Sequence, residues 1–262
     1  LTAEAWAAAT PVLRFDTLDS TNAEARRRAE AGEGGPLWIV AARQTAGRGR
    51  RGRNWETGAG NLAATLLIST DRAPIEAALI SFATALAVFD LAADWVPEAL
   101  LALKWPNDVL LDGRKVSGVL IESGRGADGR LWLAVGVGVN LKTPPDAPER
   151  PATALADHLR ADRPSPPTPE AALTRLDAAL RQWLSVWDGS GTEALLTAWS
   201  ARAGGMGGPC AVRLDQETIE GVAEGLDPDG ALRLRLPDGT IRRITAGDVF
   251  FPGAAQRLQE AR

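Results

Sequence analysis

Four arginines (Arg48, Arg50, Arg51, Arg53) and three glycines (Gly47, Gly49, Gly52) are interleaved inside the run Gln44 to Trp55. Arginine carries a permanent charge in a planar fork that fits phosphate or carboxylate. Glycine lets the backbone turn tightly and come close to a ligand. The run predicts a flexible cationic lid over an anionic small molecule. Two blander readings compete: a solvated loop, or an Arg/Gly segment that contacts nucleic acid without sequence preference. Both are disfavoured by context. The run is short and sits between the apolar segments Leu37–Val40 and Asn61–Ile68. The chain as a whole has formal charge -4 and a pI near 5.2, so no general field draws polyanions.

Other segments bring further polar groups. Lys104-Trp-Pro-Asn-Asp108 holds a lysine, an amide and a carboxylate beside a proline turn, with Lys104 free to face solvent or a cavity. Arg114-Lys-Val-Ser-Gly118 follows across a turn, where Lys115 reads equally well as a solvated turn lysine. In Gly136-Val-Gly-Val-Asn140, glycine takes alternate positions of a strand, which share one face. That face suits a flat ligand against the backbone, or close packing of another element. In Ser20-Thr21-Asn22, the pattern Thr21-x-x-Glu24 is a capping box. Three such residues in a row also leave side chains over for a polar ligand, and both readings stand. The single histidine, His158, reads as an exposed residue of a short helix, and the one cysteine, Cys210, forms no internal disulfide. Nothing here predicts a protein-built metal site. Chemistry would rest on Arg, Lys, backbone amides and the substrate's own groups.

These groups need a scaffold. Val12–Phe15, Leu37–Ala42 and Asn61–Ser69 read as strands, with a polar helix from Ser20 to Ala31 and an apolar helix from Pro74 to about Trp95. Leu101–Trp105, Val109–Leu111, Val116–Glu122 and Leu131–Asn140 read as further strands, with Asp112-Gly113 a hairpin signal. An antiparallel or mixed sheet with packed helices follows, an α+β class. Pro144–Arg150 reads as a loop. Helices are expected over Glu170–Trp187 and Thr192–Trp199. After the glycine-rich stretch 204–209, five short strands in about fifty residues suggest a small barrel of SH3-like size. The division is 1–205 and 206–262. No signal peptide and no uninterrupted apolar stretch of membrane-spanning length is visible, so the cytoplasm is the expected location.

Ser20-Thr-Asn22, Gln44 through Arg53, Lys104–Asp108, Arg114–Gly118 and Gly136–Asn140 fall in the order and rough spacing of biotin protein ligases. The chain resembles that family from about residue 10 to 200 and on into the small C-terminal barrel. The resemblance implies a class II aminoacyl-tRNA synthetase-like catalytic domain. It also implies activation of biotin by MgATP to biotinyl-5'-AMP and transfer of biotin to a lysine of a biotin carboxyl carrier domain. By the same resemblance Ser20, Thr21 and Asn22 would bond the ureido head of biotin, with Gln44 helping to fix it. Arg48, Gly49 and Arg50 would order over the biotin carboxylate and the adenylate phosphate. Lys115 would reach the carboxylate and the α-phosphate. Lys115 and Arg50 would be the catalytic pair. Trp55 would cover the pocket, Asn107 would lie near the nucleotide, and Gly118, Gly136 and Gly138 would admit biotin's rings to the sheet. Asn140 would support the same site. Mg2+ would arrive on the ATP phosphates.

The Ser20 motif starts too near the first residue for the winged helix found in many members, so a monofunctional ligase without DNA binding is expected. No membrane partner is expected, and a homodimer is left open. The segment 144–159 shares little with the family's adenylate-covering segment. A lipoate ligase or octanoyltransferase is the nearest enzyme alternative. An RNA-binding module is the non-enzyme alternative.

Overall fold

The computed structural model describes residues 10–145 and 151–251. Of the proline-rich loop expected over 144–150, residues 146–150 lie outside that range, as do parts of both terminal segments.

Seven strands form one mixed sheet: β1 (Val12–Leu18), β2 (Leu37–Gln44), β3 (Leu62–Thr70), β4 (Leu101–Lys104), β5 (Asp108–Leu111), β6 (Arg114–Arg125) and β7 (Leu131–Val139). Their spatial order is β1-β2-β3-β7-β6-β5-β4. β1 and β2 are parallel, joined through helix α1 (Thr21–Glu30), and the remaining pairs are antiparallel. The β5–β6 hairpin turns at Asp112 (φ 51°) and Gly113 (φ 71°), the paired left-handed residues that match the twist of antiparallel strands.

Strand periodicity sorts the sheet's two faces. Leu62, Ala64, Leu66 and Ile68 of β3, with Leu133, Val135, Val137 and Val139 of β7, enter the main core under the helices α3 (Ile80–Ala93) and α4 (Pro169–Ala201). Leu67, Trp132 and Ala134 point the other way, against Ala25 and Ala29 of α1. The stretch Pro74–Ala93 is long and apolar enough to cross a membrane, yet most of its apolar window is buried inside the fold. Core packing accounts for its apolarity.

Several expectations are refined. The helix from Pro74 is two pieces, α2 (Pro74–Ala77) and α3. The two helices expected after residue 170 run on as α4, bent at Gly191, whose φ of 83° breaks helical geometry. Thr168 caps α4, its Oγ1 accepting from the Ala171 amide at 3.2 Å. Pro169 follows at the first helical position, where its missing N–H costs nothing.

The five C-terminal strands are β8 (Pro209–Arg213), β9 (Thr218–Leu226), β10 (Leu232–Arg235), β11 (Ile241–Ile244) and β12 (Asp248–Phe250). They form a separate antiparallel sheet in the order β11-β10-β9-β8-β12. Trp105 Nε1 donates to the Gly230 carbonyl at 2.9 Å and Lys104 Nζ lies 5.5 Å from the Phe250 ring centre. The Lys104–Asp108 segment therefore touches the second sheet directly.

Candidate active site

α1 covers only part of its face of the large sheet. Beyond its N-terminus, Gly136 and Gly138 lie at the floor of a cavity of about 580 Å3. Every site residue that the family resemblance assigns lines it: Ser20, Thr21, Asn22, Gln44, Arg48, Gly49, Arg50, Trp55, Asn107, Lys115, Gly118, Gly136, Gly138 and Asn140; Gly47, Arg51 and Gly52 of the arginine loop do not. Five separate chain segments converge there. Asp248 and Val249 of β12 complete the wall.

One end is neutral and saturated with hydrogen bonds. Gln44 Oε1 accepts from the Thr21 amide at 2.8 Å and from the Thr21 hydroxyl at 3.1 Å, while Gln44 Nε2 donates to Thr57 Oγ1 at 3.1 Å. The Thr65 hydroxyl, fully buried on β3, sits 2.8 Å from Thr21 Oγ1 and 2.7 Å from Asn22 Oδ1, within reach of both with its one proton. Asn22 Nδ2 donates to Glu122 Oε2 at 2.8 Å, and Glu122 Oε1 accepts from Arg48 at 3.1 Å. The capping box does not form. Ser20 holds the N-cap position without a side-chain cap bond, and Gln44, from a neighbouring strand, satisfies the Thr21 amide instead.

The other end is charged. The cavity wall carries five cations (Arg48, Arg50, Arg53, Lys104, Lys115) against three carboxylates (Glu56, Asp108, Asp248), so it favours an anion. Lys115 is no solvated turn lysine. Its Nζ donates to Asp108 Oδ1 at 2.5 Å and lies 5.6 Å from the Trp55 ring centre. Arg50 donates to Asn107 Oδ1 at 3.2 Å, and the Asn107 amide is itself anchored on the Val119 carbonyl. Burial pushes the Arg50 guanidinium below its ordinary value, opposed by Asp108 and Asp248 and reinforced by Arg51 and Arg53. A partly desolvated cation of this kind gains much from an anionic partner.

The glycines differ from the expectation of a bare patch. A methyl on Gly136 would sit 2.2 Å from Asn22 Oδ1, one on Gly138 2.2 Å from the Trp55 ring, and one on Gly118 2.9 Å from Lys115 Nζ. Side chains from neighbouring segments fill the cleared space, because protein interiors close-pack. The close-packing reading thus describes all three, and Trp55 covers Gly138 directly.

Asn140 is buried at the end of the glycine strand. Its Nδ2 donates to the Thr153 carbonyl at 3.0 Å, while its Oδ1 is buried without a partner; the residue borders the same cavity. His158 corrects its reading as an exposed helix residue. It ends a 3-10 turn, half-buried, with Nε2 2.9 Å from Arg114 and 3.0 Å from Thr153 Oγ1. The sequence reading missed Thr65, Glu122 and the role of Asp108. A hydroxyl within the apolar run Leu62–Ile68 was the available signal, since a buried hydroxyl needs a partner.

Comparison with known proteins places this architecture. The family model described as Biotin/lipoate A/B protein ligase family matches residues 14–140, and Biotin protein ligase C terminal domain matches 206–251. A biotin–[acetyl-CoA-carboxylase] ligase of Paracoccus denitrificans is 43% identical over 237 residues, 90% of this chain and 98% of the relative. The enzyme of that name from Mycobacterium tuberculosis is 32% identical over 88% of this chain and 85% of its own length. A biotin protein ligase from Aquifex aeolicus, solved in complex with biotin and ATP, shares the fold with a TM-score of 0.71 at 24% identity, over 92% of this chain and 97% of that one. The chain belongs to the biotin protein ligase family.

Proposed function

We propose that this chain joins biotin to a carrier protein in two steps at this one site. The biotin carboxylate oxygen attacks the α-phosphorus of ATP. A C(O)–O–P bond forms, the α–β phosphoanhydride breaks and pyrophosphate leaves. The amine of a lysine on a biotin carboxyl carrier domain then attacks the acyl carbon, forming an amide and releasing AMP. One observation carries the reading: a neutral end dense in hydrogen bonds and a cation-rich end share one cavity, matching an uncharged ureido ring joined to an acyl phosphate. The membership of biotin-specific relatives favours biotin over lipoate.

In this reading Lys115 and Arg50 offset the charge built up as two anions meet, which is the main barrier to adenylation. Arg48 and Gly49 close over the acyl phosphate, and Trp55 shields it. Ser20, Thr21, Asn22 and Gln44 face the ureido head. Gly118, Gly136 and Gly138 let Lys115, Asn22 and Trp55 pack down onto the sheet and so make room for the ring above them. Asn140 ends the glycine strand and supports the same site, and Asn107 borders the nucleotide. Mg2+ enters on the ATP phosphates. The Asp108 and Asp248 carboxylates are engaged by cations, and magnesium usually keeps waters and substrate oxygens as ligands. Residues 1–205 form the catalytic unit, of the class II synthetase type, and 206–262 an SH3-like barrel. The five-stranded antiparallel order supports the latter.

The test is incubation with biotin, MgATP and a carrier domain. A mass gain on the carrier corresponding to one biotinyl group, and pyrophosphate release that needs biotin and ignores lipoate, are the expected results. Release driven by lipoate, or none with either acid, would overturn the proposal.

A further inference from the structure

The cationic loop divides its arginines between two partners. Arg50 lines the cavity and bonds Asn107, Arg51 turns to the C-terminal sheet, and Arg53 does both, bordering the cavity while pairing with that sheet. Their shared target is Asp248, the first residue of β12 and only 8% exposed. Arg53 spans its carboxylate, with one N–H 3.3 Å from Oδ1 and the other on Oδ2. Arg51 reaches the same Oδ2 at 3.4 Å, the Arg213 carbonyl at 3.4 Å, and Asp215. Arg51 does so from a left-handed conformation (φ 57°, ψ 35°), a setting a non-glycine residue keeps only where its surroundings hold it. The anchoring passes on to the cavity side. The Gly49 amide donates to the Arg53 carbonyl at 2.7 Å, and Arg48 bridges Asn54 across the loop. Fixing Arg53 therefore fixes the backbone that carries Arg48, Gly49 and Arg50.

We propose that Asp248 is a positioning residue for adenylation: through Arg51 and Arg53 it fastens the arginine loop to the second sheet and so sets Arg48 and Arg50 over the acyl phosphate. The inference rests on the site reading above. It makes the C-terminal sheet half of the lid. Charge and geometry both matter, because a forked, charge-assisted pair fixes direction as well as distance.

The experiment compares the wild-type chain with Asp248→Asn, Asp248→Glu and the double variant Arg51→Gln/Arg53→Gln. Four quantities are read: the lifetime of bound biotinyl-adenylate after removal of free biotin, KM for biotin against kcat, tryptic cleavage at Arg48 and Arg50, and the melting temperature. Wild type must first form adenylate; failure there sinks the proposed function rather than this inference. The Asn and double-Gln variants are expected to release adenylate roughly ten- to hundred-fold faster. They raise the biotin KM more than they lower kcat, and open the loop to trypsin. Asp248→Glu, which keeps the charge, restores much of the retention. The double-Gln variant decides the matter if Asp248→Asn does not fold. Wild-type adenylate lifetime and tryptic protection in the double-Gln variant would overturn the proposal. So would losses in Asp248→Asn that track only the folded fraction.

Discussion

The two ends of the cavity are built on opposite principles. At the neutral end, Thr21, Asn22, Gln44 and Thr65 satisfy one another, each side chain fixed by at least one neighbour. Such a network is rigid because any departure strands a buried donor or acceptor. At the charged end the two central cations are tied to a carboxylate or an amide at partial exposure: Lys115 to Asp108, Arg50 to Asn107. Those ties are exchangeable, since an arriving anion can take over a cation that a carboxylate was holding. Recognition of shape is thus assigned to the rigid end and stabilisation of developing charge to the adaptable one.

The contrast is most sharply tested at Lys115. Lys115→Ala should lower the rate of biotin-dependent pyrophosphate release by about a hundred- to a thousand-fold, the scale of losing one preorganised charge at a reacting centre. Its melting temperature should hold near the wild-type value. A large thermal loss with little kinetic loss would reverse the assignment of the two ends.

Thr65→Val is the matching test at the neutral end. Valine keeps the shape and removes the proton shared by Thr21 Oγ1 and Asn22 Oδ1. Stranding those acceptors should cost about 1–3 kcal/mol of stability, read by denaturant unfolding. The biotin KM should rise by a factor that does not change between low and high salt, whereas adenylate retention through the arginines should weaken as salt screens it. Equal salt sensitivity at both ends would break the comparison.

Gln44→Leu should cost about 1 kcal/mol, since it removes the acceptor that caps the Thr21 amide from outside α1. The check is the same unfolding assay combined with the biotin KM. The smallest effect is expected beside the cavity, at Asp19. The hydrogen bond from Arg27 holds its carboxyl at about 2, against an ordinary 3.8. The stabilising contribution is therefore present above pH 4 and fades as pH falls from there towards 2. The pair is solvent-exposed, so Asp19→Asn should lose less than about 1 kcal/mol at pH 6, and that difference should shrink as pH falls towards 2 and vanish below it. Monitoring both chains by circular dichroism across that range tests it.

How much of this was legible beforehand varies by residue. The strands of the large sheet, the Asp112-Gly113 turn and the five short C-terminal strands follow from alternation and turn chemistry, which are local. The cavity residues were legible as types at motif positions. Their partners were not. Thr21 looked like half of a capping box, and only the parallel pairing of β1 with β2 brings Gln44 to its amide instead. Gly136 and Gly138 announced a cleared face, but which side chains would fill it depends on where α1 and the arginine loop come to rest. His158 carried no local signal of its contact with Arg114, which lies 44 residues away along the chain.

The sequence alone determined periodicity, turn positions, the supply of permanent cations and the absence of more than one histidine, because each is a property of neighbouring residues or of composition. Tertiary structure decided which charges meet. Asp248 belongs to a strand about two hundred residues beyond Arg51 and Arg53, and nothing within either segment specifies the other. Electrostatic pairing acts through space and short distance, so only the packing of β12 against the arginine loop could create that link.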